Sequence, residues 1–296
     1  MFIKLGETIL SRVATVNYPK EKQVSPENLR GRPDINLQSC TGEGNCSLVC
    51  PSRAISLEPW RVDLGKCIFC GLCAESCPSN AIRMTGDFEL ASHQRSALVV
   101  AQDGIPVEAA ITEKTIQQPG GAAPTTQTNA SGRPPLPMSL ISPSGDLEVM
   151  SQELKNRITR HLQRSLHIRH LDCGSCNGCD WELNALLNPV HDIQRLGFDF
   201  VASPRHADVL LVTGVMNRNL TTAALRTYRA MPEPRLVVAV GACGCSGGIF
   251  SSNYAGGGGI NTVLPVDVYI PGCPPRPQAL IYGLLLAVGR IAEREQ

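Results

Sequence analysis

Residues 40–78 constrain this chain more than any other stretch. They read CTGEGNCSLVCP, then a gap, then CIFCGLCAESCP, and hold seven of the thirteen cysteines. The stretch is an internal duplication: CSLVCPSRAI, from Cys46 to Ile55, returns as CAESCPSNAI, from Cys73 to Ile82, at an offset of 27 residues. The same offset maps Cys40 onto Cys67 and Glu43 onto Cys70, so one of eight ligand positions is a carboxylate. A C-x2-C-x2-C-x3-C-P run wraps a cubane iron–sulfur cluster, and in a doubled run the fourth cysteine serves the other cluster. One cluster would take Cys40, position 43, Cys46 and Cys77; the second would take Cys67, Cys70, Cys73 and Cys50. Zinc sites come as separated C-x2-C pairs rather than as a triplet with a C-P end. Disulfides need an oxidising compartment.

Glu43 departs from the repeat. A carboxylate is a harder ligand than a thiolate and a weaker match to a cluster that prefers sulfur. Three outcomes follow: a four-iron cluster with one oxygen ligand, a three-iron cluster with that corner empty, or no first cluster.

At 296 residues the chain is long enough for two domains. A net charge of +1, with 18% charged residues, gives no bias toward nucleic acid. The longest apolar run near a terminus, residues 279–288, is half of the roughly 20 residues a spanning helix needs. The start shows neither a cleavable apolar leader nor a twin arginine. The cysteines are therefore expected to be metal ligands in a reducing cytoplasm.

Along the chain, Phe2, Leu5, Ile9, Val13 and Val16 recur at helical spacing. Residues 18–39 read as an extended arm. Short strands are expected at 54–57 and 81–85, after each C-P turn, with further strand-like pieces at 97–101 and 107–111. Residues 116–145 are rich in Pro, Gly, Ser and Thr and read as a linker whose ends would lie roughly 30 Å apart. Such a linker lets the two halves dock on each other or on different faces of one partner. Asp146 opens an expected helix to about residue 164, with a basic face at Lys155, Arg157, Arg160 and Arg164. After that, apolar strand candidates at 166–171, 208–213, 236–240 and 266–270 alternate with helices at 180–187, 219–231 and 277–293. That alternation implies a mainly parallel sheet with covered faces, and sites in such sheets gather at the strands' carboxyl ends. The six remaining cysteines all fall there, on what read as loops. Spacing alone leaves six cysteines for four places; Cys176, Cys179, Cys243 and Cys273 are the set chosen, with Cys173 and Cys245 left as small buried apolar groups.

The segments CGSCNGCDWE, SPRHADVLLVTG, GACGCSGGIF and PVDVYIPGCPPRP occur in this order over about residues 165–296. They resemble the small subunit of membrane-bound, complex-I-like [NiFe] hydrogenases of the formate hydrogenlyase type. Complex I has a homologous 20 kDa subunit that carries its last cluster before quinone. The resemblance implies a flavodoxin-like α/β domain with a mainly parallel sheet and one [4Fe-4S] cluster on Cys176, Cys179, Cys243 and Cys273. It puts Cys173 and Cys245 at positions that are not ligands. Arg205 and His206, in the shared SPRH segment, would lie near that cluster and tune it by hydrogen bonds. The C-x2-C opening is of the hydrogenase kind; complex I proper has adjacent cysteines there.

Residues 1–95 resemble the ferredoxin-like electron-transfer subunit of the same complexes, on YPKE…NLRGRPDINLQSC and CIFCGLC. This implies an α+β fold for two [4Fe-4S] clusters. Two-cluster ferredoxins with an acidic residue at the Glu43 position are a known variant, usually with Asp, in which that cluster is [3Fe-4S] or carboxylate-ligated. The chain thus resembles a fusion of two subunits: a helix and arm at 1–32, a two-cluster domain at 33–95, a linker region at 96–145 and a single-cluster domain at 146–296. The expected function is electron transfer, through up to three clusters, between a soluble redox donor and a hydrogenase or complex-I-type large subunit. The chain would lie with membrane subunits on the inner face of the cell membrane, and would not turn over substrate alone. A nickel-free, quinone-reducing complex is the alternative. A redox sensor or metal store is a third reading, although a third ligand set on a full α/β domain is more than such a module needs.

Overall fold

The computed structural model describes residues 14–21, 25, 26, 29–102, 106, 165–251 and 253–294. The helix expected over 2–16 falls among them only in its last three residues, which are not helical. The strand expected at 107–111, the linker at 116–145 and the basic helix from Asp146 lie outside the described residues.

The cysteine-rich half is α+β. Strand β1 (Pro33–Ile35) pairs antiparallel with β4 (Ile82–Met84). Strand β3 (Trp60–Asp63) pairs antiparallel with both β2 (Ile55–Leu57) and β5 (Val99–Val100). Two one-turn helices, α1 (Asn45–Leu48) and α2 (Leu72–Glu75), carry Cys46 and Cys73. The repeat extends to the backbone: Gly44 and Gly71 enter the two helices at φ 77° and 84°, and Arg53 and Asn80 leave the C-P turns at φ 51° and 48°. Left-handed backbone favours glycine and tolerates asparagine; Arg53 is the costlier member of the second pair.

The C-terminal half is an α/β flavodoxin-like unit. Its strands are β6 (Leu166–Asp172), β7 (Phe198–Phe200), β8 (Val209–Thr213), β9 (Leu236–Val240) and β10 (Val268–Ile270), in the order β10-β9-β8-β6-β7 and all parallel. Helices α3 (Gly178–Ala185), α4 (Thr221–Ala230), α5 (Gly241–Ser246) and α6 (Pro277–Arg294) follow β6, β8, β9 and β10. β8 and β9 are buried along their whole length, as continuous apolar runs in a doubly covered sheet should be. Alternation divides them: Val209 and Leu211 face one core with Leu280 and Leu284 of α6, whereas Leu210 and Val212 face the other with Ala224 of α4. Among the described residues no helix is long and apolar enough to cross a membrane.

The halves are docked on each other. Ser92 and Tyr269 exchange two backbone hydrogen bonds, of 3.0 and 2.8 Å, which adds one antiparallel rung to the free edge of β10. Beside it, Arg95 grips Asp63 through both terminal nitrogens at 2.8 Å and donates from Nε to the Cys245 carbonyl at 2.9 Å. At the other end of the arm, the Val16 N–H donates to the Val190 carbonyl at 2.8 Å, and Arg195 donates to the carbonyls of Val16 and Tyr18. Tyr18, fully buried, packs on Phe88 within the α6 side of the core and donates to Glu89 at 3.0 Å. Both apolar cores therefore run across the junction.

Replacing Arg95 with Ala leaves Asp63, 16% exposed, without its bidentate partner, and the Cys245 carbonyl without its donor. The expected loss is about 3 kcal/mol of unfolding free energy in anaerobic urea titration of the full chain. A change below about 0.5 kcal/mol, as for an ordinary surface residue, would count against the clamp.

Candidate metal centres

The second cysteine of each C-x3-C-P end is set by the same local chemistry. Ala54 N–H donates to Cys50 Sγ at 3.2 Å and Ala81 N–H to Cys77 Sγ at 3.3 Å, while Ser52 and Ser79 hydroxyls sit 3.7 and 3.5 Å from those sulfurs. Phe69 N–H donates to Cys67 Sγ at 3.4 Å. Amide donors aimed at sulfur stabilise the thiolate form, which is the form that binds metal. The Ser79 hydrogen bond holds the Cys77 thiol below its ordinary value.

Cys50, Cys67, Cys70 and Cys73 line one cavity, walled by Ala54, Ile55, Val62, Leu72 and Met84. Burial pushes the Cys67 thiol up to about 12, against the Phe69 N–H, and the neighbouring Cys73, Cys50 and Cys70 add to the rise. Burial likewise raises Cys73 to about 11, followed by Cys70, Cys50 and Cys46. A metal entering this space must displace those protons, so its binding is linked to thiol ionisation.

The other N-terminal set is more open. Cys40 is exposed and Cys46 half-buried. Burial raises Cys46, and Trp60 opposes the rise. Trp60 Nε1 is buried and has no hydrogen-bond partner of ordinary geometry, which suits it to a sulfur acceptor beside Cys46. Cys46 and Cys77 flank the same core. Glu43 is turned onto its neighbours instead: its carboxylate accepts from Thr41 Oγ1 at 3.1 Å and Asn45 Nδ2 at 3.5 Å.

The third set gathers at the carboxyl ends of β6, β9 and β10. Burial raises the Cys179 thiol, and Cys243, Cys273 and Cys176 raise it further, so the four cysteines chosen from the sequence are mutual neighbours. Cys243 is pushed up to about 11 by burial and then by Cys273 and Cys176. The sequence reading placed all of these on loops; in fact Cys179 and Cys243 lie in the first turns of α3 and α5. Backbone without side chains clears the space between them. A Cβ on Gly241, at φ 80°, would stand 2.7 Å from Cys179 Sγ, and one on Gly248, at φ 53°, 3.2 Å from Cys243 Sγ. Cys173 and Cys245 are buried elsewhere: Cys173 beside Asp172, Cys245 against the Ala239 carbonyl.

The N-terminal and C-terminal sets lie within electrostatic reach of each other. Burial raises the Cys273 thiol, and the next contributions come from Cys176 of its own set and from Cys70 across the junction. Arg30 covers that edge, donating from Nη1 to the Cys70 carbonyl at 2.5 Å and pairing with Glu75 at 3.3 Å. Sequence reasoning missed Arg30, although it lies in the arm segment NLRGRP. Among the described residues no three His, Cys, Asp or Glu side chains meet where a single ion would sit. A cubane takes one thiolate at each of four irons, so its ligands surround a volume rather than a point.

Arg205 and His206 are not near this centre, a correction to the sequence reading. They form a turn before β8, at its amino end, with the His206 carbonyl 3.0 Å from His167 Nδ1 at the start of β6. The cysteines lie at the opposite, carboxyl end of the parallel sheet, about 16 Å away along the length of β8. Both residues cap a strand entry.

A family model described as NADH ubiquinone oxidoreductase, 20 Kd subunit, matches residues 176–287, and one described as 4Fe-4S binding domain matches residues 60–83. Formate hydrogenlyase subunit 7 of Escherichia coli K12 is 45% identical over 141 residues, 48% of this chain and 55% of the relative's length. The probable membrane-bound hydrogenase subunit mbhJ of Pyrococcus furiosus is 43% identical over 138 residues, 46% of this chain and 82% of that protein. An NADH-quinone oxidoreductase subunit of Citrifermentans bemidjiense is 49% identical over 114 residues, 38% of this chain and 66% of the relative. The cysteine sets are thus those of a 4Fe-4S protein, and with a relative covered over 82% of its length at 43% identity, the chain belongs to the NADH ubiquinone oxidoreductase 20 Kd subunit family, joined to a ferredoxin-type segment.

Proposed function

We propose that this chain is an iron–sulfur electron-transfer subunit of a membrane-associated, complex-I-like [NiFe] hydrogenase, relaying electrons between an external redox partner and a catalytic large subunit. The observation that carries the reading is that two cysteine sets lie within electrostatic reach of each other across the junction, Cys70 adding to the rise of the Cys273 thiol. Residues 33–95 would hold two clusters, on Cys40, Cys46 and Cys77 and on Cys50, Cys67, Cys70 and Cys73. Residues 146–296 would hold the third, on Cys176, Cys179, Cys243 and Cys273. Bound clusters supply one-electron oxidation and reduction; the chain supplies sulfur, burial and amide donors, which set their potentials. Glu43, held by Thr41 and Asn45, supports a three-iron first cluster with an open corner. The large subunit would cover exposed apolar groups around the third set: Trp181, 74% exposed beside Cys179, with Ile249 and Phe250 after α5. The similarity to an NADH-quinone oxidoreductase subunit supports a second reading, the same relay in a nickel-free, quinone-reducing complex.

Three measurements test these assignments. Gly241→Ala combines a left-handed backbone with a methyl 2.7 Å from Cys179 Sγ; the anaerobically purified chain should lose about four irons while the N-terminal clusters persist. Full iron in that variant would remove Cys179 from the ligand set. Glu43→Cys should raise the iron content from about eleven to about twelve per chain, with conversion of a three-iron to a four-iron electron paramagnetic resonance signal. An unchanged count at about twelve would mean that the carboxylate already completes a cubane. Finally, anaerobic purification from native membranes should bring down a nickel-containing large subunit with hydrogen-dependent dye reduction. Iron and a large subunit without nickel or hydrogen activity would favour the quinone-type reading.

A further inference from the structure

We infer that Asp180 is a positioning residue that sets the redox potential of the C-terminal centre, its carboxylate held beside Cys179 by His170, Thr213 and Ser175. The inference rests on the ligand set proposed above. Asp180 follows Cys179 in the first turn of α3 and is 18% exposed. Its Oδ1 accepts from Thr213 Oγ1 at 2.9 Å and lies 2.9 Å from His170 Nε2. Its Oδ2 accepts from Ser175 Oγ at 2.5 Å. His170 Nε2 lies 2.9 Å from Thr213 Oγ1 as well; with the Thr213 proton given to Asp180 and a carboxylate only accepting, His170 Nε2 is the protonated ring nitrogen, shared between those two oxygens.

These partners come from three separate places: His170 from within β6, Thr213 from the last position of β8, and Ser175 from the loop between β6 and α3. Ser175 precedes Cys176 and Asp180 follows Cys179, so their hydrogen bond ties off the two ends of the C-x2-C segment. The tie is anchored again on β6, where Asp172 Oδ1 accepts from the N–H groups of Gly174 and Ser175 at 2.8 and 2.7 Å. Three donors on one acceptor group hold a negative charge in place and spread it, and a fixed negative charge near a centre disfavours the arrival of another electron. An ordinary role at the start of a helix, as an acidic residue facing the helix dipole, would require none of these partners from the sheet.

The test is a redox titration of the full-length, cluster-loaded chain followed by electron paramagnetic resonance, with iron measured on the same samples. Asp180→Asn removes the charge and keeps an acceptor; the C-terminal centre's midpoint should move upward with iron unchanged and the N-terminal midpoints unmoved. Thr213→Val, nearly isosteric, removes one donor and leaves the charge less compensated; the same midpoint should move downward by a smaller amount. Full iron with no shift in either variant, or equal shifts at all centres, overturns the inference. Should Asp180→Asn lose the centre, Thr213→Val decides alone, and an unmoved midpoint there overturns it. A wild-type chain without a C-terminal centre fails earlier and differently, since it removes the ligand set and the inference together.

Discussion

Arg95 joins the two ends of the structure on which everything else depends. Its guanidinium binds Asp63, at the end of β3 and four residues before Cys67, and its Nε binds the carbonyl of Cys245, two residues after Cys243. One side chain thus refers a loop of the N-terminal centre to a helix of the C-terminal one. Asp63 also accepts from Gly65 N–H at 3.0 Å and lies 4.0 Å from Lys66 Nζ. The pair is strong because it is partly buried, bidentate and hydrogen-bonded on every side. The rung between Ser92 and Tyr269 supplies direction where Arg95 supplies distance. Together they fix how the halves sit on each other, and in that arrangement Cys70 lies within electrostatic reach of Cys273.

A shared core makes that position more than a hinge. Tyr18 and Phe88 belong to the N-terminal half by sequence but lie in the core beneath α6, with Arg276 stacked 4.9 Å over the Phe88 ring. Burial holds the Tyr18 hydroxyl above its ordinary value, with Glu89 next among the causes, so it stays a neutral donor. The proposed relay would need this rigidity, because electron transfer falls steeply with separation. Two separate chains meeting in solution would have to form such a junction by encounter; one chain holds it at high effective concentration.

Much of this was legible in the residues because metal ligation and parallel sheets both leave dense local signatures. The doubled cysteine spacing pointed to a 4Fe-4S segment, and continuous apolar runs such as LVVAV marked strands covered on both faces. The duplication implied matching short strands after each C-P turn, and β2 and β4 lie there. What escaped was long-range. Nothing adjacent to Arg95 in sequence announces Cys245, 150 residues on. Arg205 and His206 were misplaced for the same reason: a shared SPRH segment signals a constraint, but only the direction of β8 reveals that the constraint acts at the far end of the sheet. Cys179 and Cys243 read as loop residues because they follow strand candidates; in the structure short helices begin at Gly178 and Gly241, and the second of these glycines makes room for Cys179 Sγ.

The broken symmetry at Glu43 follows from where each copy of the repeat lies. Its equivalent, Cys70, stands at a cavity walled by apolar side chains, next to the junction with Cys273. A carboxylate there would be buried without the donors that a charge requires, at a cost of several kcal/mol. At position 43 the same group is exposed and meets Thr41 and Asn45, which satisfy both oxygens locally. The substitution therefore sits in the copy of the repeat that faces solvent, away from the junction where Cys70 and Cys273 influence each other. Duplication supplied two equivalent positions, and docking of the C-terminal half made them unequal.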